Sequence, residues 1–285
     1  MKSTLRRYIA ELSGFTLMRA AAIIDIGALL AIIALITYNA WPALSWEFLT
    51  EPPKQMMTQG GIWPCIVGTF FLAAGALVIA LPLGVASAVY LNEYSNSASV
   101  WTTLTRLSIA NLAGVPSIVF GLFGLTFFVV FCGLGVSLLA GILTLAVLSL
   151  PIIINTTEAA LQQVPQDWRE ASLALGASKR ETTLKVVLPN ALPGILTGSI
   201  LALARAAGET AAIMYTGSVF FTPKEGVSPF EPVMALPYHI YVLATSGTNI
   251  EATRPLQYGT ALVLLFLVLV MSSAAIIIRE RKRSR

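Results

Sequence analysis

The chain has 285 residues, of which 56% are hydrophobic and 11% charged, less than half the roughly 25% charge of an average soluble domain. At about 20 apolar residues per helical bilayer crossing, membrane spans use up most of this length, and no separate soluble domain fits in the remainder. The net charge of +4 comes from 18 basic and 14 acidic residues; the basic ones gather at the termini and in one central loop, which fits membrane orientation and argues against nucleic-acid binding.

Residues 1–16 are expected to form a cytoplasmic segment, 17–278 a transmembrane domain and 279–285 a basic cytoplasmic tail. The first apolar run, Leu17 to Ala40, follows Lys2, Arg6 and Arg7 but is too long for a secretory signal, so it reads as a retained span. Arg19 can snorkel to the inner interface, and Asp25 sits in lipid territory and needs a partner. Further runs cover Trp63 to Leu91, Ser108 to Phe131, Leu134 to Asn155, Ala191 to Val219 and Leu256 to Ile278. The result is an all-α, polytopic bundle of about six spans, because hydrocarbon forces each long run to satisfy its own backbone. Pro82, Pro116 and Pro151 interrupt the runs; Pro116, beside Gly114 and Asn111, marks either a break or a merely bent helix.

Orientation follows from Lys and Arg on alternate sides. Fourteen fall on the side of the termini and three, Lys54, Lys224 and Arg254, on the other, with Arg205 left inside a span. Both termini and the loop 156–189 are therefore expected in the cytoplasm, and the loop 220–255 outside, in the periplasm. Cys65 and Cys132 have no CxxC spacing or His partners, so they read as packing residues. The lone His239 likewise reads as structural, and no metal is assigned.

The cytoplasmic segment VPQDWREASLALGASKRETTLKVVLP carries a helical pattern. Pro165 suits a first helical position, and Val164, Trp168 and Leu175 give an apolar stripe beside Asp167, Arg169 and Glu170. Gly176 permits the positive-φ turn that ends a helix, and Ser178 can start a second helix running to Val187 before Pro189. Periodicity alone fits a partner's groove or the lipid surface equally well. The Gly turn and the paired helix favour a rigid lever.

Glu170, Ala171, Ser172, Gly176, Val186, Leu188 and Pro189 resemble the EAA loop of ABC importer permeases, with Ser172 in place of the second Ala and Val186 in place of Ile. The resemblance implies a coupling helix seated on an ATPase subunit, with Trp168, Glu170, Ala171, Ser172, Leu175 and Gly176 at the contact.

The fifth run, PGILTGSILALARAAGETAAIMYTG, places Arg205 and Glu209 about halfway across the bilayer. Each charge there costs roughly 2.5–3.5 kcal/mol on insertion scales, so both should face protein or water. Four residues apart on a helix, they can pair. They read as a substrate pathway or gate, or as a structural ion pair. A guanidinium matched to phosphate oxygens suits an anion route. The string RAAGETA, following the EAA-like loop and LPNALPGI, is similar to the permeases of the phosphate-specific (Pst) ABC importers, of PstA type rather than PstC type. The resemblance covers most of the chain from about Gly61.

That resemblance implies a type I importer permease for inorganic phosphate in a bacterial inner (plasma) membrane. It further implies a second, PstC-like permease, a PstB-like ATPase dimer and a PstS-like periplasmic binding protein. The chain has no GxxxxGK[ST] loop, so ATP and Mg are expected on the ATPase subunit and no cofactor on this chain. Another oxyanion, such as phosphonate, sulfate or molybdate, is an alternative cargo. A membrane enzyme acting through Arg205, Glu209 and His239 lacks a nucleophile or metal cluster, and a receptor-like scaffold would bind the same partners without moving solute.

Overall fold

A computed structural model describes residues 2–54, 59–96, 98–222, 227–245 and 250–283. Lys224 and Arg285, both used above to orient the chain, lie outside the described residues, as do 223–226 and 246–249 of the loop 220–255.

The long apolar runs fold as helices. The first, α1 (Lys2–Ala40), packs along the last, α11 (Ile250–Arg283), and residues 14–40 are mostly exposed. Asp25 is exposed on α1 and has no partner among the described residues. A short helix, α2 (Trp46–Thr50), follows, capped by Ser45 Oγ accepting from the Phe48 amide at 3.1 Å. Next comes a two-residue antiparallel pair, β1 (Pro53–Lys54) and β2 (Gln59–Gly60).

The bundle centres on α3 (Trp63–Val89), α6 (Leu138–Gln162) and α9 (Leu188–Gly208). Lipid tails supply no hydrophobic drive between helices, so close approach depends on small residues. A Cβ on Gly75 would lie 2.5 Å from Ile142, one on Gly84 2.6 Å from Ile153, and one on Gly194 2.5 Å from the Cβ of Ala160. Leu72, Ala76, Leu145, Ile153 and Ala202 fill the space between these helices. Pro82 and Pro151 sit inside continuous helices, whereas Pro116 stands between two.

The third run is broken: α4 (Val100–Ala113) and α5 (Ser117–Gly124), the latter extended by a π-wound turn to Phe131, meet at 102°. Pro116 has no N–H and disfavours helical backbone at Val115. The first half closes with Gly114 N–H to Asn111 O and Val115 N–H to Leu112 O, and Pro116, at ψ 140°, opens the second. Helix begins at Val100, ahead of the expected start of this run at Ser108. Among the described residues, five helices are long and apolar enough to cross a membrane, and the bent pair makes up to six.

Two further boundaries differ from expectation. The helix starting after Ser178, α8 (Lys179–Thr182), does not stop at Val187; it passes through a π-wound turn (Thr183–Val187) into α9, so 179–208 forms one rod. Pro189 lies inside that rod, two residues past the π-wound turn. The fifth run does not stay helical to Val219: α9 ends at Gly208, and α10 (Leu236–Thr245) follows after an irregular stretch.

Candidate coupling elbow and intramembrane arginine

The elbow begins at Pro165, which precedes α7 (Gln166–Ala174) as its N-cap rather than occupying its first turn. Of the expected apolar stripe, Val164 is buried in the bundle while Trp168 is 48% and Leu175 90% exposed. Leu173, not singled out from the sequence, joins the exposed set, and Glu170 and Ala171 are exposed as well. Ser172 turns inward, its hydroxyl 2.9 Å from that of Thr182. Gly176 adopts φ +86°, and the Gly176 and Ala177 amides donate to the carbonyls of Leu173 (2.9 Å) and Ser172 (3.2 Å). This is a Schellman termination, in which the left-handed residue lets orphan carbonyls find donors.

Ser178 then starts α8 with a capping box: its Oγ accepts from the Glu181 amide, and Glu181 accepts from the Ser178 amide. The Ser178 amide and hydroxyl, aided by Lys185, hold the Glu181 carboxyl below the usual carboxylate range. Each arm of the elbow thus ends or begins on its own cap, so the turn has a defined angle.

Two ion pairs that the sequence reading missed bind the elbow end of the bundle. Arg169 donates through Nε and Nη2 to both oxygens of Glu93 (3.4 and 2.9 Å), and also to the carbonyls of Val164 (2.6 Å) and Leu161 (2.9 Å). Arg106 donates to Glu158 (3.2 Å) and to the Leu91 carbonyl (3.0 Å). The partners are 76 and 52 residues apart in sequence, so spacing gave no signal; isolated carboxylates at the ends of apolar runs were the available clue. A cleft of about 640 Å³ lies beside Arg169, Glu93 and Lys179.

At the other end of α9 the helical register changes the expected picture. Gly198 lies against Thr156 and Gly194 against Ala160, so continuing this antiparallel register sets Arg205 level with about Ser149, near the middle of α6. Arg205 is exposed on the same side of α9 as Thr197 and Leu201, while Ala202, Leu203, Ala206 and Ala207 are buried. Glu209 is not on that helix. It caps it with extended backbone at ψ 128°, half-buried, and forms no ion pair with Arg205. The expected helical i,i+4 pair does not form because helical backbone stops one residue short of Glu209.

The described residues after Gly208 tie their backbone to the bundle. Thr216 O accepts from the Ser137 amide, and Val233 exchanges bonds with Gly217 and Val219. The Glu231 and Pro229 carbonyls cap the first amides of α6, Leu138 and Leu139. Thr69 Oγ1 accepts from the Leu236 amide at 2.8 Å. Gly217 and Gly141 meet backbone to backbone. His239, on α10, is buried with Nδ1 unpartnered, and burial pushes its pKa down to about 4.

The family model for binding-protein-dependent transport system inner membrane components matches residues 80–283. A probable ABC transporter permease protein, YqgI of Bacillus subtilis (strain 168), is 36% identical over 258 residues, covering 87% of each chain. The phosphate transport system permease protein PstA 1 of Mycobacterium tuberculosis is 34% identical over 282 residues, covering 97% of this chain and 89% of that one. Among solved structures, the inward-facing MetNI methionine ABC transporter superposes with a TM-score of 0.59 at 24% identity, over 78% of this chain and 94% of that one; this likeness shows the fold. The chain belongs to the binding-protein-dependent transport system inner membrane components and, within them, to the PstA-like permeases of ABC importers.

Proposed function

We propose that the chain is the PstA-type permease of an ATP-driven importer for inorganic phosphate. It would form the pathway with a PstC-like permease and be driven by a PstB-like ATPase dimer, with a PstS-like binding protein delivering phosphate. The observation that carries the anion reading is Arg205, an exposed guanidinium at mid-bundle depth with no carboxylate paired to it among the described residues. An isolated charge at that depth is expensive against lipid and affordable against water or a subunit lining a path. The names of the relatives at 32–36% identity support phosphate as the anion.

Arg205 supplies donors along the path, and Glu209, at the tip of α9, repels an anion that lingers, so the two act as attraction and gate without pairing. The exposed Trp168, Glu170, Ala171, Leu173 and Leu175 seat on the ATPase subunit, and ATP and Mg bind there. Ser172 and Gly176 hold the seat's shape. Both termini face the cytoplasm of a bacterial cell, and the loop 220–255 faces the binding protein outside. In liposomes holding the complete transporter, ATP-driven uptake of labelled phosphate should resist a hundredfold excess of sulfate, molybdate or phosphonate. Displacement by one of these would assign the cargo to that oxyanion.

A further inference from the structure

Arg169 points away from the surface that its neighbours Trp168 and Glu170 present. Its side chain is 13% exposed and that of Glu93 9%, so the pair is shielded from screening. The planar guanidinium spreads its donors over three sites at once: both oxygens of Glu93, and the carbonyls of Leu161 and Val164 at the inner end of α6. Leu161 is in the last turn of α6, where its carbonyl also accepts from the Val164 amide at 3.2 Å, and Val164 follows the helix end by two residues. Glu93 sits in the π-wound turn Tyr90–Tyr94 that finishes α3. From beyond the Gly176 turn, the ammonium of Lys179 lies 5.4 Å from the ring centre of Tyr94 in the same turn. Both arms of the elbow, α7 and α8, therefore hold one turn of α3.

We propose that Arg169 is the positioning residue that fixes the elbow to α3, so that a displacement of α7 moves the inner end of α3 together with α6 and the α8–α9 rod. This rests on reading α7 as the seat of the ATPase. Without the Arg169–Glu93 link, α7 is no longer tied to α3, so its displacement leaves α3 behind and hydrolysis on the partner runs without moving solute. A lysine keeps the charge but cannot reach carboxylate and both carbonyls in one plane.

The test is the number of ATP molecules hydrolysed per labelled phosphate moved, in liposomes carrying the complete transporter. Arg169→Met and Glu93→Gln should assemble, keep hydrolysing ATP and raise that ratio at least tenfold, with Arg169→Lys between them and wild type. If Arg169→Met fails to assemble, Glu93→Gln decides, because it leaves both carbonyl contacts in place. A wild-type ratio in Glu93→Gln overturns the inference. Leu175→Cys, at a 90% exposed position, separates the two readings by cross-linking to the ATPase subunit. No cross-link in the otherwise wild-type complex removes the seat and this inference together. A cross-link with an unchanged ratio in Glu93→Gln removes this inference alone. A cross-link lost in Glu93→Gln would make the ion pair a support of the fold and also overturn it.

Discussion

Substitution of Gly176 isolates the cost of one dihedral angle from every other effect. Its φ is +86°, and a Cβ built there meets nothing within 4 Å, so no clash contributes. An L-residue in left-handed backbone costs about 1–2 kcal/mol, and a β-branched one more, because αL is a genuine outlier for it. Asn tolerates the conformation best after Gly. Gly176→Asn should therefore be near wild type, and Gly176→Ala should lose about 1 kcal/mol, a factor of roughly five in the population of the formed turn. Gly176→Val should abandon the turn, giving up the bonds from Gly176 and Ala177 to Leu173 and Ser172. At about 1 kcal/mol each, these bonds bound what the chain can resist before α7 swings free. Hydrogen exchange of the Ala177 amide reads the turn directly, and ATP-driven phosphate uptake by the assembled complex reads its use. Protection and uptake should fall together in the order Gly, Asn, Ala, Val. A Val variant with full exchange protection and wild-type uptake would refute the reasoning, as would a Val variant with lost protection and undiminished uptake.

Arg205→Gln in an assembled complex removes a charge-assisted contact worth about 1.5–3 kcal/mol, so labelled-phosphate uptake should fall roughly 10- to 100-fold, with ATPase binding unchanged. Gly68→Ala drives a Cβ to within 2.0 Å of the Met234 carbonyl, which is backbone and cannot rotate away, whereas Gly75→Ala meets Ile142 Cδ1 at 2.5 Å, the far end of a side chain that can turn; the yield of folded protein should drop far more for the first. Burial holds His239 neutral with its pKa near 4 against an ordinary 6.5, so the unfolded chain binds the extra proton first as pH falls. Stability in detergent should be full above about pH 6.5 and decline toward pH 4 by roughly 3 kcal/mol, and His239→Gln should flatten that decline in thermal unfolding. Ser178→Ala removes one half of the capping box and should cost about 1 kcal/mol, read as weaker exchange protection at Glu181 and Thr182.

The spans and the elbow were legible because their signals are local. A run of apolar residues, a Gly after an amphipathic stretch and a Ser three residues before a Glu each declare themselves within a few positions. What was not legible depended on partners distant in sequence. Arg106 was counted only among the orienting charges, and Arg169 among them and as a charge flanking the apolar stripe, because nothing near them names Glu158 or Glu93. The end of α9 was misplaced for a related reason. Apolar residues continue from Ala211 to Val219 as if the helix did, but Gly208 and the close meeting of Gly217 with Gly141 divert the backbone. Hydropathy reports burial in membrane or protein alike, so it could not tell a packed irregular stretch from a helix. Pro116 illustrates the opposite case: the residue that breaks the third span was identified, and the 102° angle came from how the two halves pack.

The uninterrupted rod from Lys179 to Gly208 has a geometric corollary. Thirty residues at 1.5 Å per residue make a shaft about 45 Å long whose side-chain tips lie about 6 Å off axis. Axial rotation by about 30° at its foot would sweep the guanidinium at position 205 through an arc of about 3 Å, as long as a hydrogen bond. Such torsion would grip or release an oxyanion without any helix sliding through the bilayer, and the hydrophobic seal around the shaft would stay intact throughout.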